Sequence, residues 1–211
     1  MTITVHHLEN SRSQRILWLL EELGLDYEVK RYERDKKTML APPELARIHP
    51  LGKSPVIEDG EAEGQVIAET GAIVEYLVAR ADGRLGAPNT VDGQLRYRHF
   101  LHYAEGSMMP PLLVILVLDQ LGLLGRPAKK PMLEMMAGHL RWLESELASR
   151  DWFAGEDFTA ADVMMSFPLE AARARAGLDE RYPHILDWLE RIHARPAYQA
   201  ALTRGGPYAY G

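Results

Sequence analysis

The chain has 211 residues, 46% of them hydrophobic, enough apolar material for one large domain or two modest ones to bury a core without crosslinks. A formal net charge of -6, with no stretch that concentrates Lys and Arg, sets nucleic acid aside as a partner. Cysteine is absent, which excludes disulfides, thiolate metal sites and a cysteine nucleophile, so any sulfur chemistry must arrive with a ligand.

Met1 to Asn10 lacks the basic start and apolar run of a signal peptide, and the longest apolar run, Leu112 to Leu118, is too short to span a bilayer. A cytoplasmic protein without a membrane partner is expected. Ile3 and Val5 alternate with Thr2, Thr4 and His6 as in a strand, followed by a polar turn at Glu9 to Ser11. Ile16, Leu19, Leu20 and Leu23 then share one helical face, and Gly24 should end that helix. A second strand is predicted over Tyr27 to Tyr32, and a short helix near Pro43 to Arg47. Pro55 to Glu58 and Gln65 to Ala68 read as a hairpin turning through Glu61, Ala62, Glu63 and Gly64, with a helix from Glu69 to about Arg80 behind it.

This order of strands and helices suits a mixed sheet covered by helices over residues 1-80. Residues 81-90, with Gly83, Gly86 and Pro88, read as a linker. Residues 91-211 carry only helical periodicity, predicted over about 91-122, 131-149, 160-176, 183-194 and 197-203. Pro110 and Pro111 must kink or break the first of these.

Three places carry chemistry. Pro55 opens a strand where it has no N-H for a ladder. If the Ser54-Pro55 bond is cis, the backbone of Ser54 is free to pair with an extended peptide; an ordinary trans proline is the plainer alternative. Glu69 and Thr70 place an acid and a hydroxyl at a helix start, where capping competes with capture of a carboxylate. Ser11, between strand and helix, is either a simple N-cap or a donor to an incoming anion.

The segments Asn-Ser-Arg-Ser-Gln-Arg (10-15), Pro-Leu-Gly-Lys-Ser-Pro-Val-Ile (50-57) and Glu-Thr-Gly-Ala-Ile-Val-Glu-Tyr-Leu (69-77) together resemble the cytosolic glutathione transferase superfamily, over essentially the whole chain. The resemblance is to its serine-type members, theta-like or of a fungal or bacterial class. It implies a thioredoxin-like N-terminal domain and a C-terminal α-helical bundle, assembled as a homodimer. Glutathione is the implied co-substrate, with no permanently bound cofactor. The proline matching Pro55 is cis in the family, and the pair matching Glu69 and Thr70 binds the γ-glutamyl end. Ser54 stands where valine is commoner and Thr70 where serine is; backbone pairing and a hydroxyl survive both changes. The Ser54 backbone would hold the cysteinyl unit and Lys53 the glycine carboxylate.

Serine-type members place the thiol-activating hydroxyl four residues before an arginine, which Ser11 and Arg15 match, while Asn10 and Ser13 remain alternatives. No tyrosine precedes Tyr27, so the tyrosine-type classes do not fit. The implied reaction is attack of a glutathione thiolate on a small apolar electrophile. The alternatives are a glutathione-dependent disulfide reductase or peroxidase, which an amide such as Asn10 would suit, and a non-catalytic glutathione-binding regulator. Tyr103 and Met108, beside the expected kink, are the candidates for the electrophile pocket.

Other features read as structural. Thr159 and Asp162 have capping-box spacing. His99 and His102 stand one helical turn apart without a third ligand at a recognisable spacing, so no metal site is expected. The segment Gly205 to Tyr210 is expected to fray, with an aromatic flap as the alternative.

Overall fold

The structure, a computed structural model, describes residues 2-62 and 64-210, and divides into two compact units. Glu63, at the expected hairpin turn, lies outside the described residues.

The first unit runs to Gly86 and includes Ala194–Ala209. Its strands are β1 (Ile3–Leu8), β2 (Tyr27–Tyr32), β3 (Val56–Asp59) and β4 (Gln65–Ala68), in the order β2-β1-β3-β4. β1 runs parallel to β2 and antiparallel to β3, so Val5 pairs with Val29 on one side and Ile57 on the other. Helix α1 (Ser13–Leu23) ends at Gly24, whose φ of 59° gives the left-handed cap that glycine adopts at low cost. The short helix α2 (Leu45–Ile48) and helix α3 (Thr70–Arg80) follow the expected order.

Helix α1 buries more than the face its periodicity marks: Leu17 and Trp18 are covered as fully as Ile16 and Leu20. The cause is helix α9 (Pro196–Gly205), which packs on α1. Trp18 meets Tyr198 edge-on at 5.2 Å, and Arg195 grips Glu22 through Nε at 2.5 Å and Nη2 at 2.9 Å. The closest approach is at Gly205, where an added Cβ would stand 2.6 Å from the Gln14 amide and 2.9 Å from Leu17. The last helix, placed by sequence order with the 91-211 domain, therefore belongs to the sheet-containing unit.

The second unit comprises Ala87–His193 with Tyr210. Helix α4 (Val91–Tyr103), capped by Thr90, passes into a π turn over Ala104–Met108 and then α5 (Met109–Gln120). The expected break thus falls just ahead of Pro110 and Pro111, which occupy the first turn of α5, where a missing N-H costs nothing. Helix α6 (Arg126–Leu147) starts earlier than predicted and carries Pro131 inside it, followed by α7 (Ala160–Arg175) and α8 (Pro183–His193). By length and composition, 91-120 could cross a membrane, but 44% of its apolar window is buried, and Met108, Leu112 and Ile115 are core residues. The Thr159 and Asp162 capping box forms as expected, and Asp162 also accepts from Phe153 N at 3.0 Å and Trp188 Nε1 at 3.3 Å. Burial pushes its carboxyl up to about 6, against the pull of those donors.

Candidate functional site

The site grows from the end of β1. Alternation puts Ile3, Val5 and His7 on one face of the strand, and His7 is 2% exposed there. Asn10 then turns the chain with a φ of 49°, a left-handed conformation asparagine tolerates better than most residues. This turn brings Ser11 and Ser13 back over the strand end.

A continuous hydrogen-bonded chain results. Ser11 Oγ lies 2.7 Å from Ser13 Oγ, and Ser13 Oγ lies 2.9 Å from His7 Nδ1. Ser13 N donates to Ser11 Oγ at 3.2 Å, and Leu8 N donates to Ser13 Oγ at 3.2 Å. Ser11 thus does part of what an N-cap does, although the capping position itself is Arg12. Ser13 is fully enclosed, whereas Ser11 keeps 5% of its surface, so Ser11 is the outer end of the chain. Burial, with the charge of Arg31, lowers the His7 pKa to about 4, so the ring is neutral at ordinary pH.

The Ser54-Pro55 bond is cis. The Ser54 hydroxyl, given no task by the sequence reading, donates to His6 O at 2.8 Å and accepts from Leu8 N at 3.3 Å. It thereby ties this loop to the same strand end that Ser13 bonds. Among the described residues, the Ser54 backbone N-H and C=O take no hydrogen bond. Lys53 is exposed and Pro55 buried.

Glu69 is exposed at the start of α3 with a φ of 71°, strained for a residue with a side chain, and Thr70 behind it is buried. Asn10 accepts a 2.7 Å hydrogen bond from Ala209 N through its side-chain oxygen, so this stretch of the C-terminal segment is held and not frayed. Within the second unit, Tyr210 packs edge-on to Phe167, and its hydroxyl takes a bond from Arg175 at 3.1 Å.

Tyr103 and Met108 belong to the second unit. The Tyr103 hydroxyl bonds His139, its ring packs among His99, Phe100 and Trp142, and Met108 is fully enclosed. Met108 has no surface, while Tyr103 keeps 9% of its own. His99 stacks on Tyr103, and no group of three or more metal-ligating side chains occurs among the described residues.

Sequence reasoning missed His7. The available signal was its place two residues beyond Val5 on the apolar face of the strand; what hid its importance is that its burial depends on distant α9.

Comparison with known proteins is consistent in every direction. The chain matches the family described as glutathione S-transferase, N-terminal domain, over residues 1–79, and glutathione S-transferase, C-terminal domain, over residues 117–191. It is 37% identical to Glutathione S-transferase 3 of Schizosaccharomyces pombe, covering 96% of this chain and 87% of that one. It is 34% identical to Glutathione S-transferase 1 of Saccharomyces cerevisiae, covering 94% and 93%. A crystal structure of a glutathione S-transferase from Actinobacillus pleuropneumoniae superposes with a TM-score of 0.87 at 35% identity, covering 99% and 95%. The structure of Ure2p in complex with glutathione, at 20% identity and a TM-score of 0.82, covers 95% and 98% and shares the fold.

Proposed function

The chain belongs to the cytosolic glutathione transferase superfamily, and we propose that it activates the thiol of glutathione through Ser11 for attack on small apolar electrophiles. The observation that carries this reading is the hydroxyl chain ahead of α1, which ends outward at Ser11 while Ser13 is sealed beneath it. A hydroxyl donor stabilises a thiolate more than a thiol and so lowers the thiol pKa. Ser13 has no surface from which to reach a ligand. The side-chain oxygen of Asn10 is engaged by Ala209, which leaves only its amide as a donor.

Glu69 and Thr70 hold the γ-glutamyl end in this reading, the Ser54 backbone pairs with the cysteinyl unit, and exposed Lys53 meets the glycine carboxylate. Met108 can influence a second substrate only as packed support, and Tyr103 through the surface it keeps. Tyr103→Phe or Met108→Ala changing the KM for an electrophile, with that for glutathione unmoved, would give them this part. The protein is read as a cytoplasmic homodimer. Leu113, Val117 and Leu121, exposed along α5 and its end, give an apolar strip that a second copy would cover, and sedimentation tests this.

The deciding experiment is a titration of thiolate absorbance with glutathione bound, alongside turnover of an aryl halide, a small disulfide and an organic hydroperoxide. Ser11→Ala should raise the bound thiol pKa and cut aryl-halide turnover by about 10². An unchanged curve for Ser11→Ala, or a shift confined to Asn10→Ala, removes Ser11 from the role. Turnover of the disulfide or hydroperoxide alone would assign the reductase or peroxidase chemistry, and no turnover with tight glutathione binding would assign a binding protein.

A further inference from the structure

The hydroxyl chain does not stop at Ser13, and its inner end has a function in view. One ring nitrogen of His7, Nδ1, faces Ser13 Oγ at 2.9 Å. The other, Nε2, lies against Gly205 of α9, 3.3 Å from where a Cβ on that glycine would stand, and the tautomer with its proton on Nε2, toward the Gly205 backbone, leaves Nδ1 a bare acceptor. The charged groups facing the ring are Arg31 from β2 and Glu9 at the end of β1; α1 contributes the Ser13 hydroxyl.

We propose that His7 is the remote acceptor of the glutathione thiol proton, reached through the hydroxyls of Ser11 and Ser13. The inference rests on the reading that Ser11 meets the thiol. The S-H bond breaks and its proton passes to Ser11 Oγ, the Ser11 proton passes to Ser13 Oγ, and the Ser13 proton passes to His7 Nδ1. Sulfur gains one negative charge, the imidazole one positive charge, and no electron leaves the site.

The chain of contacts suits both ends of this transfer. A hydroxyl donates once and accepts twice. Before transfer, Ser13 donates to His7, at 2.9 Å a nearer acceptor than the Leu8 carbonyl at 3.3 Å, and accepts from Ser11 and Leu8 N, while Ser11 donates to Ser13 and accepts from Ser13 N and the thiol. After transfer, His7 donates to Ser13, Ser13 to Ser11 and Ser11 to the thiolate, with both backbone amides still in place. The imidazolium then donates from both nitrogens, to Ser13 and to the Gly205 carbonyl. A thiolate beside a neutral His7 instead leaves the two serine oxygens 2.7 Å apart with no proton between them, or leaves buried Nδ1 without its donor. Before glutathione arrives the ring is neutral and Nδ1 carries no proton; burial opposes charging it, and the thiolate charge formed at the other end of the chain is what favours the imidazolium.

The relay predicts where the proton goes. Binding should be measured calorimetrically in buffers of different ionisation heat, at a pH where absorbance shows the bound thiol ionised, with S-methylglutathione as reference. The parent should release close to no proton per site, and His7→Asn, which keeps an acceptor for Ser13 but cannot take a proton, should release close to one. Ser13→Ala, which cuts the relay while leaving the histidine in the chain, should also release one. In the parent itself, nitrogen NMR of His7 should show the second nitrogen protonated with glutathione and not with S-methylglutathione. Release of a full proton by the parent, or a His7 signal that stays neutral, overturns the relay while leaving Ser11 intact. An unchanged thiol pKa in Ser11→Ala overturns the underlying reading, and the relay with it.

Discussion

Two helix beginnings in this molecule use the same kinds of residue to opposite ends. At α7, Thr159 and Asp162 bond each other, and the carboxylate also takes Phe153 N and the Trp188 indole, so the network closes on itself inside the helical unit. At α1, Ser11 and Ser13 bond each other and His7, but the chain of hydroxyls runs outward and ends at a side chain that retains some surface. The difference lies in closure. A buried polar network whose every capacity is spent locally is a fold element, whereas one with an open end can exchange a proton or a donor with a ligand.

Breaking the closed network should cost most. Asp162→Ala leaves two backbone N-H groups and an indole without their acceptor, and about 4 kcal/mol should be lost in urea unfolding. A loss below about 1 kcal/mol would mean that water replaces the carboxylate and that the network is not closed.

Next in size come two pH dependences of opposite sign. The folded pKa of Asp162, about 6, lies above its ordinary 3.8, so its contribution is present below pH 3.8 and is lost as pH rises through 6. His7, at about 4 against 6.5, contributes above pH 6.5 and loses that contribution as pH falls through 4. Each amounts to about 3 kcal/mol. The stability of the parent minus that of His7→Asn should therefore grow from pH 4 to 6.5, and that of the parent minus Asp162→Asn should shrink from pH 3.8 to 6. Equal slopes in the two differences would remove the contrast between the two sites.

Gly205→Ala is the smaller perturbation. Its Cβ would press on Gln14 and Leu17, and about 2 kcal/mol should be lost. Because Gly205 faces His7, the bound thiol pKa should move as well, whereas Gly138→Ala, in an open stretch of α6, should leave it alone. The smallest effect concerns a third helix beginning, Glu69 at φ 71°. Glu69→Gly should relieve strain and gain up to about 1 kcal/mol of stability after the entropy cost of glycine, while weakening glutathione binding measured by calorimetry.

Much of this was legible from the order of residues. Period-two and period-3.6 patterns located β1, α1 and α3, Gly24 marked the end of α1, and the prolines marked the break ahead of α5. Local rules suffice for such features because the residues concerned satisfy one another within a few positions. The position of Ser11 at the turn ahead of α1 was legible for the same reason. The roles of His7, Ser54 and Gly205 were not, since each depends on partners distant in the chain: His7 on α9, the Ser54 hydroxyl on the β1 backbone, and Gly205 on Gln14 and Leu17. The return of α9 to the first unit was hidden likewise, because contiguity in sequence is a poor guide when a helix comes back to pack on an earlier one.

The return of α9 has a consequence for biosynthesis. During translation, strands and helices up to Gly86 emerge well before Ala194–Ala209, with all of Ala87–His193 made in between. Through that interval Trp18 lacks Tyr198, Glu22 lacks Arg195, and His7 lacks Gly205 against its ring. A nascent chain arrested before residue 194 should thus expose an unfinished thiol site to chaperones and proteases, and competence to bind and ionise glutathione should appear only once α9 has cleared the ribosome.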